Sequence, residues 1–235
     1  AKELDAIDNK ENIKLSPVAT LLKTDFEEKT NSGVIVSENT EEFLNEAAKD
    51  FKAYGAKETI IVTGNVNNVN KYNREIRKRV VGEDTDFVVP GERVMLYSKY
   101  SKYVGKNHPR IEIFNSSVVD VTSVRNASVL GIPVLDITVN YTREDGTQGS
   151  TTMKVIHKNN KEAINLLFEK KKELHKDWME FKKGIGKKDK QTLIDETSLL
   201  SQTVLIDYNY AMTAHKVQGQ TVRNTYVDPT YRGFE

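Results

Sequence analysis

Glu58-Thr59-Ile60-Ile61-Val62-Thr63-Gly64-Asn65-Val66-Asn67-Asn68-Val69-Asn70-Lys71-Tyr72-Asn73-Arg74-Glu75-Ile76-Arg77 reads as a strand, a turn and a helix in direct succession. Glu58 to Thr63 is a short buried-strand run. Gly64 to Asn68 is turn chemistry and leads into a helix predicted over Val69 to Val81, which Gly82 ends. Upstream, Ser37 or Asn39 is placed to cap a helix over Thr40 to Tyr54, where Phe43, Leu44, Ala47, Ala48 and Phe51 fall at helical spacing. Gly55 stops that helix, and Gly33 to Ser37 ahead of it is strand-like. Residues 1 to 32 are polar and aperiodic, with a short helix suggested near Pro17. Strands alternating with helices make this part α/β.

The pattern changes at Phe87. Arg93 to Tyr97, Arg110 to Phe114, Ser117 to Val124, Val134 to Tyr141 and Ser150 to Ile156 favour strands, with a hairpin expected at Glu144-Asp145-Gly146. Several short strands in about 70 residues predict a small barrel of SH3-like or OB-like size. A long amphipathic helix follows over Lys161 to Lys183, with Ile164, Leu167, Phe168, Leu174, Trp178 and Phe181 as its apolar stripe. After a basic linker, Thr203 to Tyr208 is strand-like and is expected to return to the first α/β unit. The barrel and the long helix are then insertions in one parallel-sheet domain.

The chain has 235 residues, 37% hydrophobic and 29% charged, with 35 basic against 34 acidic side chains. A net charge of +1 says nothing for or against nucleic acid; only a local basic surface counts, and Lys71 to Arg79 and Lys182 to Lys190 are the candidates. Either also reads as a solvated face. No cysteine is present, which excludes disulfides and thiolate metal sites. No apolar run approaches the roughly 20 residues of a membrane span, and Ala1 to Asp5 is charged. These features fit a cytoplasmic protein without a membrane partner.

Two stretches carry chemistry. One is the opening stretch, with Asn65, Asn73, Ile76 and Arg77. The other is Tyr210-Ala211-Met212-Thr213-Ala214-His215-Lys216-Val217-Gln218-Gly219-Gln220-Thr221. The second resembles the superfamily 1 helicase motif [YFW]-A-x-T-[VIA]-H-K-[SAV]-Q-G-x-[ST]. The first resembles the motif that opens the second motor domain, a strand ending in Thr-x-Asn followed by V-x-x-[LY]-N-x-x-I-R. Their order, with a β-rich insertion and a helix between them, is similar to the RecD/Dda-like DNA helicases, which move 5′ to 3′. The resemblance covers roughly residues 33 to 235.

It implies a RecA-like parallel-sheet domain in two parts, 33–86 and 193–235. The interruptions are an SH3-like barrel over 87–157 and a helical projection with basic linker over 158–192. It implies single-stranded DNA as partner, held by Thr63, Asn65, Thr213, His215 and Lys216. Gln218, Gly219, Gln220 and Thr221 would face an ATP cleft. ATP and Mg would bind mainly on a missing N-terminal RecA-like domain, with residues 1–32 as connector. A bacterial or phage-infected cytoplasm follows, with room for a single-strand-binding protein as further partner.

The residues agree with those roles in kind. Hydroxyls, amides and imidazoles at strand ends bind backbone phosphates without reading sequence, and ligands gather at the C-terminal strand ends of open α/β sheets. Asn65 also reads as a helix cap, and Lys216 also as one half of a structural ion pair. His108, His157 and His175 share no metal-ligand spacing and are read as structural. Trp178 is read as a packing anchor. Tyr97, Tyr100 and Tyr103 recur beside Lys99 and Lys102, and barrel packing is the preferred reading over base stacking. Ile194-Asp195-Glu196 is read as a surface turn or helix cap.

No G-x-x-x-x-G-K-[ST] loop occurs, and Gly105-Lys106-Asn107 and Gly186-Lys187-Lys188 do not supply one. The arginine-bearing motif of the family is not reached before Glu235. The expectation is a second motor domain without the first, inactive alone. A non-enzymatic nucleic-acid-binding module built on the barrel, or part of a superfamily 1 RNA helicase, are the alternatives.

Overall fold

The computed structural model describes residues 39–82, 87–103, 110–143, 145–218 and 220–228. The expected connector over 1–32, the run at 33–37, Gly105 to His108 and Gly219 lie outside them. In chain order the elements are α1 (Thr40–Tyr54), β1 (Thr59–Thr63), α2 (Val66–Val81), β2 (Arg93–Leu96), β3 (Tyr100–Lys102), β4 (Ile111–Ile113), β5 (Val118–Val129) and β6 (Ile132–Thr142). Then follow β7 (Gln148–His157), α3 (Lys161–Lys182), α4 (Lys190–Ser201), β8 (Thr203–Tyr208), β9 (Ala211–Thr213), α5 (Ala214–Val217) and β10 (Asn224–Asp228).

The chain divides into two compact units, Ala1–Glu46 and Ala47–Glu235. Of the first, residues 39–46 are described. They open α1, where the Asn39 side chain accepts the Glu41 N–H at 2.8 Å, the capping expected of that residue.

The second unit is mixed α/β, with a parallel sheet and a small closed barrel. The sheet order is β10-β1-β9, and its register sets Thr63 level with Asp228 on one side and Thr213 on the other. Ile60, Val62 and Met212 pack together with Met95 and Val118 of the barrel. Helix α2 packs on β1 and β9. It starts three residues before the predicted Val69 because Asn65 caps it, accepting the Asn68 N–H at 2.8 Å. Gly82 ends it at φ 86°, a conformation that a side chain would strain. From the last turns of α1, the Phe51 ring meets Tyr210 edge-on at 5.2 Å. Asp50 accepts the Tyr226 hydroxyl at 2.7 Å.

The barrel closes as β2-β5-β6-β7-β8, while β3 and β4 form a separate two-stranded sheet. β5 and β6 run well past the predicted strands, joined by a two-residue turn with Leu130 at φ 51° and Gly131 at φ 84°. Two positive φ angles are what the twist of a tight hairpin demands. Val94, Val119, Val121, Ile137, Val139, Val155, Val204 and Ile206 are buried.

Thr203 to Tyr208, expected in the parallel sheet, instead closes the barrel, parallel to β7 and antiparallel to β2. A parallel neighbour needs a crossover, and the α3–α4 hairpin supplies it. α4 occupies 190–201, where the linker and the start of the second sheet segment were expected. Asp195 and Glu196 therefore lie within a helix and not at a turn or cap. Gln191 donates to Asp195, and Lys188 bridges Glu196 at 2.7 Å to Asp177 at 3.0 Å. Leu167, Leu174, Leu193 and Leu200 form one core with Val129, Ile132 and Val134. Trp178 packs against it, its indole N–H donating to Thr197 at 3.0 Å.

Candidate nucleic-acid interface

Three parallel strands end side by side at Asp228, Thr63 and Thr213. The sheet edge thus brings together both ends that the sequence singles out and adds a third. Thr63 is buried, and its hydroxyl donates to Asp228 at 3.3 Å. The same carboxylate oxygen accepts from Asn68 Nδ2 at 2.8 Å and from the Tyr72 hydroxyl at 2.9 Å. Burial and then Asp228 push the Tyr72 phenol far above its ordinary pKa, so it stays a donor. Thr63 thus braces the edge. Asn65 is half-buried, with its oxygen spent on the cap of α2.

Beyond β9 the chain turns outward. Thr213 is half-buried and leaves its side chain out of any cap bond to the short helix α5. His215 and Lys216 on α5 are exposed. Among the described residues no carboxylate lies beside Lys216; its ammonium lies 3.6 Å from the Met95 sulfur and 5.1 Å from the centre of the Tyr97 ring. The ion pair weighed for Lys216 is absent among the described residues.

At the start of β9, towards the opposite ends of these strands, lies a buried polar network. Arg77, 2% exposed, reaches Glu92 at 2.8 Å and 3.3 Å, donates to the Phe87 carbonyl and stacks over Tyr208 at 4.5 Å. Burial alone would lower the Arg77 pKa, but Glu92 outweighs it and raises it. Glu92 also accepts the Tyr210 hydroxyl at 2.8 Å and the Val89 N–H at 2.7 Å. One turn earlier on α2, Asn73 accepts the N–H groups of Tyr210 and Ala211 and donates to the Tyr208 carbonyl. Arg77 and Asn73, which the resemblance put in step with the helicase spelling, therefore hold the chain where it leaves β8 for β9.

Asp207 adjoins this network. Its carboxylate meets Lys158 Nζ at 2.5 Å, with His157 Nε2 and the Tyr97 hydroxyl each 3.5 Å away. His157 is thus buried and structural, with its Nδ1 accepting the Asn159 N–H at 3.3 Å. Tyr100 is buried, its hydroxyl on the Thr152 carbonyl, whereas Tyr97 and Tyr103 are exposed.

Of the residues expected at a nucleotide cleft, Gln218, Gln220 and Thr221 are exposed. Gln220 turns its amide back to the Lys216 carbonyl at 3.4 Å. Among the described residues no group of three or more His, Asp or Glu is arranged for a metal. A cavity of about 160 Å³ lies away from the edge, beside α4, lined in part by Asp136, Lys154 and Gln202.

Sequence reading missed Asp228, Tyr72, Asp207 and Lys158. The available signal for Asp228 was Thr225-Tyr226-Val227-Asp228, a short β-favouring run with a polar end like that of β1. No protein-family model matches the chain, and no curated protein matches it.

Proposed function

We propose that the C-terminal edge of the β10-β1-β9 sheet grips the backbone of single-stranded DNA without reading its sequence. In this reading the chain is the strand-holding part of an ATP-driven superfamily 1 helicase of the RecD/Dda-like type. The sheet is then a RecA-like domain and the barrel its SH3-like insertion. One observation carries the proposal: Thr63 and Thr213, from two stretches some 150 residues apart that both resemble helicase motifs, lie level on neighbouring parallel strands. His215 and Lys216 follow at once, exposed and free of carboxylate partners among the described residues. Hydroxyl, imidazole and ammonium groups on a rigid strand end suit phosphate contacts. ATP hydrolysis would need a second domain, because the sequence has no phosphate-cradling loop.

The test is a fluorescence-anisotropy titration with an oligo-dT strand at several salt concentrations. Binding should weaken with salt, and Lys216→Ala should reduce the log–log salt slope by roughly 0.7, the loss of one phosphate contact. His215→Ala should weaken binding by roughly threefold to tenfold, the cost of one hydrogen bond. Unchanged affinity in both variants removes the edge from the interface. An oligo-U strand bound as tightly as oligo-dT removes the preference for DNA.

A further inference from the structure

We infer that Asn73 is a positioning residue that sets where the Thr213–Lys216 strand end lies relative to the barrel, with Asp207 holding its amide in the working orientation. The inference rests on the strand-binding reading above.

Between Tyr208, the last residue of the barrel strand, and Ala211, the first of β9, the chain has two residues in which to change sheets. Most of its backbone groups there are committed. The Asn209 N–H donates to the Arg93 carbonyl at 3.2 Å, and the Tyr210 carbonyl accepts the Ile61 N–H at 2.9 Å. Three further groups go to one side chain. Asn73 Oδ1 accepts the Tyr210 N–H at 3.0 Å and the Ala211 N–H at 2.8 Å, and Nδ2 donates to the Tyr208 carbonyl at 3.0 Å.

Only an amide offers an acceptor and a donor in that geometry; a carboxylate lacks the donor and an alkyl group lacks both. The reverse orientation would press the amide NH2 against two backbone donors. Asp207 favours the same orientation, because its Oδ2 lies 3.5 Å from Asn73 Nδ2. His157 at 3.5 Å, the last residue of β7, and Lys158 at 2.5 Å, the next along the chain, hold Asp207 itself. A continuous buried path therefore runs from the barrel through Asp207 and Asn73 to the start of β9. Thr213 stands two residues further on and His215 four, with no slack between. Binding groups work only when their supports hold them to within about 0.5 Å.

The experiment uses the 235-residue chain. Amide hydrogen exchange and oligo-dT binding are measured for wild type, Asn73→Ala, Asn73→Asp, His215→Ala and the Asn73→Ala/His215→Ala double variant. In Asn73→Ala the Tyr210 and Ala211 amides should exchange roughly tenfold to a hundredfold faster, while those of Ile137 and Val139 in the barrel keep their protection. Oligo-dT affinity should fall roughly tenfold. On the His215→Ala background the same change should cost clearly less than tenfold, because part of that loss passes through His215. Asn73→Asp, which keeps an acceptor but sets a second buried carboxylate against Asp207 and the Tyr208 carbonyl, should lose at least as much as Asn73→Ala in both measurements. If Asn73→Ala does not fold, Asp207→Asn carries the test, raising exchange at the same two amides.

The positioning role is overturned if those amides stay protected, if exchange rises evenly through barrel and sheet, or if the two affinity losses add in full. Absent oligo-dT binding by wild type, with the exchange pattern as expected, overturns the strand-binding reading instead.

Discussion

Asn65 and Asn73 lie eight positions apart and do different work. Asn65 caps the helix at the candidate interface, while Asn73, 2% exposed, stitches the strand crossover. Their residue types were legible in the sequence; their partners were not, since Tyr210 is 137 positions from Asn73. Arg77 carries a heavier local burden. Arg77→Met leaves Glu92 buried without its cation, and urea unfolding should show a loss of about 3–5 kcal/mol. A loss under about 1 kcal/mol would mean that solvent reaches the pair. Asp207 makes a pH prediction. Burial alone would raise its pKa, but the contact with His157 and the Lys158 ammonium outweighs burial, so the carboxyl lies below its ordinary value. A carboxylate depressed in the folded state stabilises above its unfolded pKa of about 3.9, and that stability is lost as pH falls through the folded value. Asp207→Asn should therefore be less stable than wild type near neutrality and should lose less between roughly pH 5 and pH 2. Parallel stability curves over that range would contradict this.

At the scale of elements, legibility followed local signals. Helix α1 and most of α2 and α3 could be read because apolar spacing, capping asparagines and terminal glycines agree along a few turns. Helix α4 could not, because Lys190 to Ser201 has a weak stripe of Leu193 and Leu200 among polar residues. Strand β8 was legible as a strand but not as part of the barrel. An apolar run buried on both faces looks the same in either sheet, and its neighbours are fixed by the crossover that α3 and α4 form. That role makes α4 a structural element. Leu193→Ala and Leu200→Ala, each emptying a fully buried site, should cost roughly 2–5 kcal/mol apiece. A surface linker would register within about 0.5 kcal/mol, and thermal or urea unfolding separates the two outcomes.

For the molecule as a whole, the parallel sheet and the barrel are joined by the shortest of links, Asn209 and Tyr210, so groups on the sheet edge are referenced to the barrel core. Strand binding is proposed for that edge, with ATP turnover elsewhere. The purified chain should not hydrolyse ATP, since no loop in its sequence cradles the phosphates; steady turnover abolished by Gln218→Ala would contradict this. The most direct test of the central claim is a backbone-amide NMR titration of the chain with oligo-dT. The largest shifts are expected on Asn65 to Asn68 and on Thr213 to Gln220, while α3 and α4 stay still. Shifts confined to the barrel or to the α3–α4 hairpin, with the sheet edge unmoved, would contradict it.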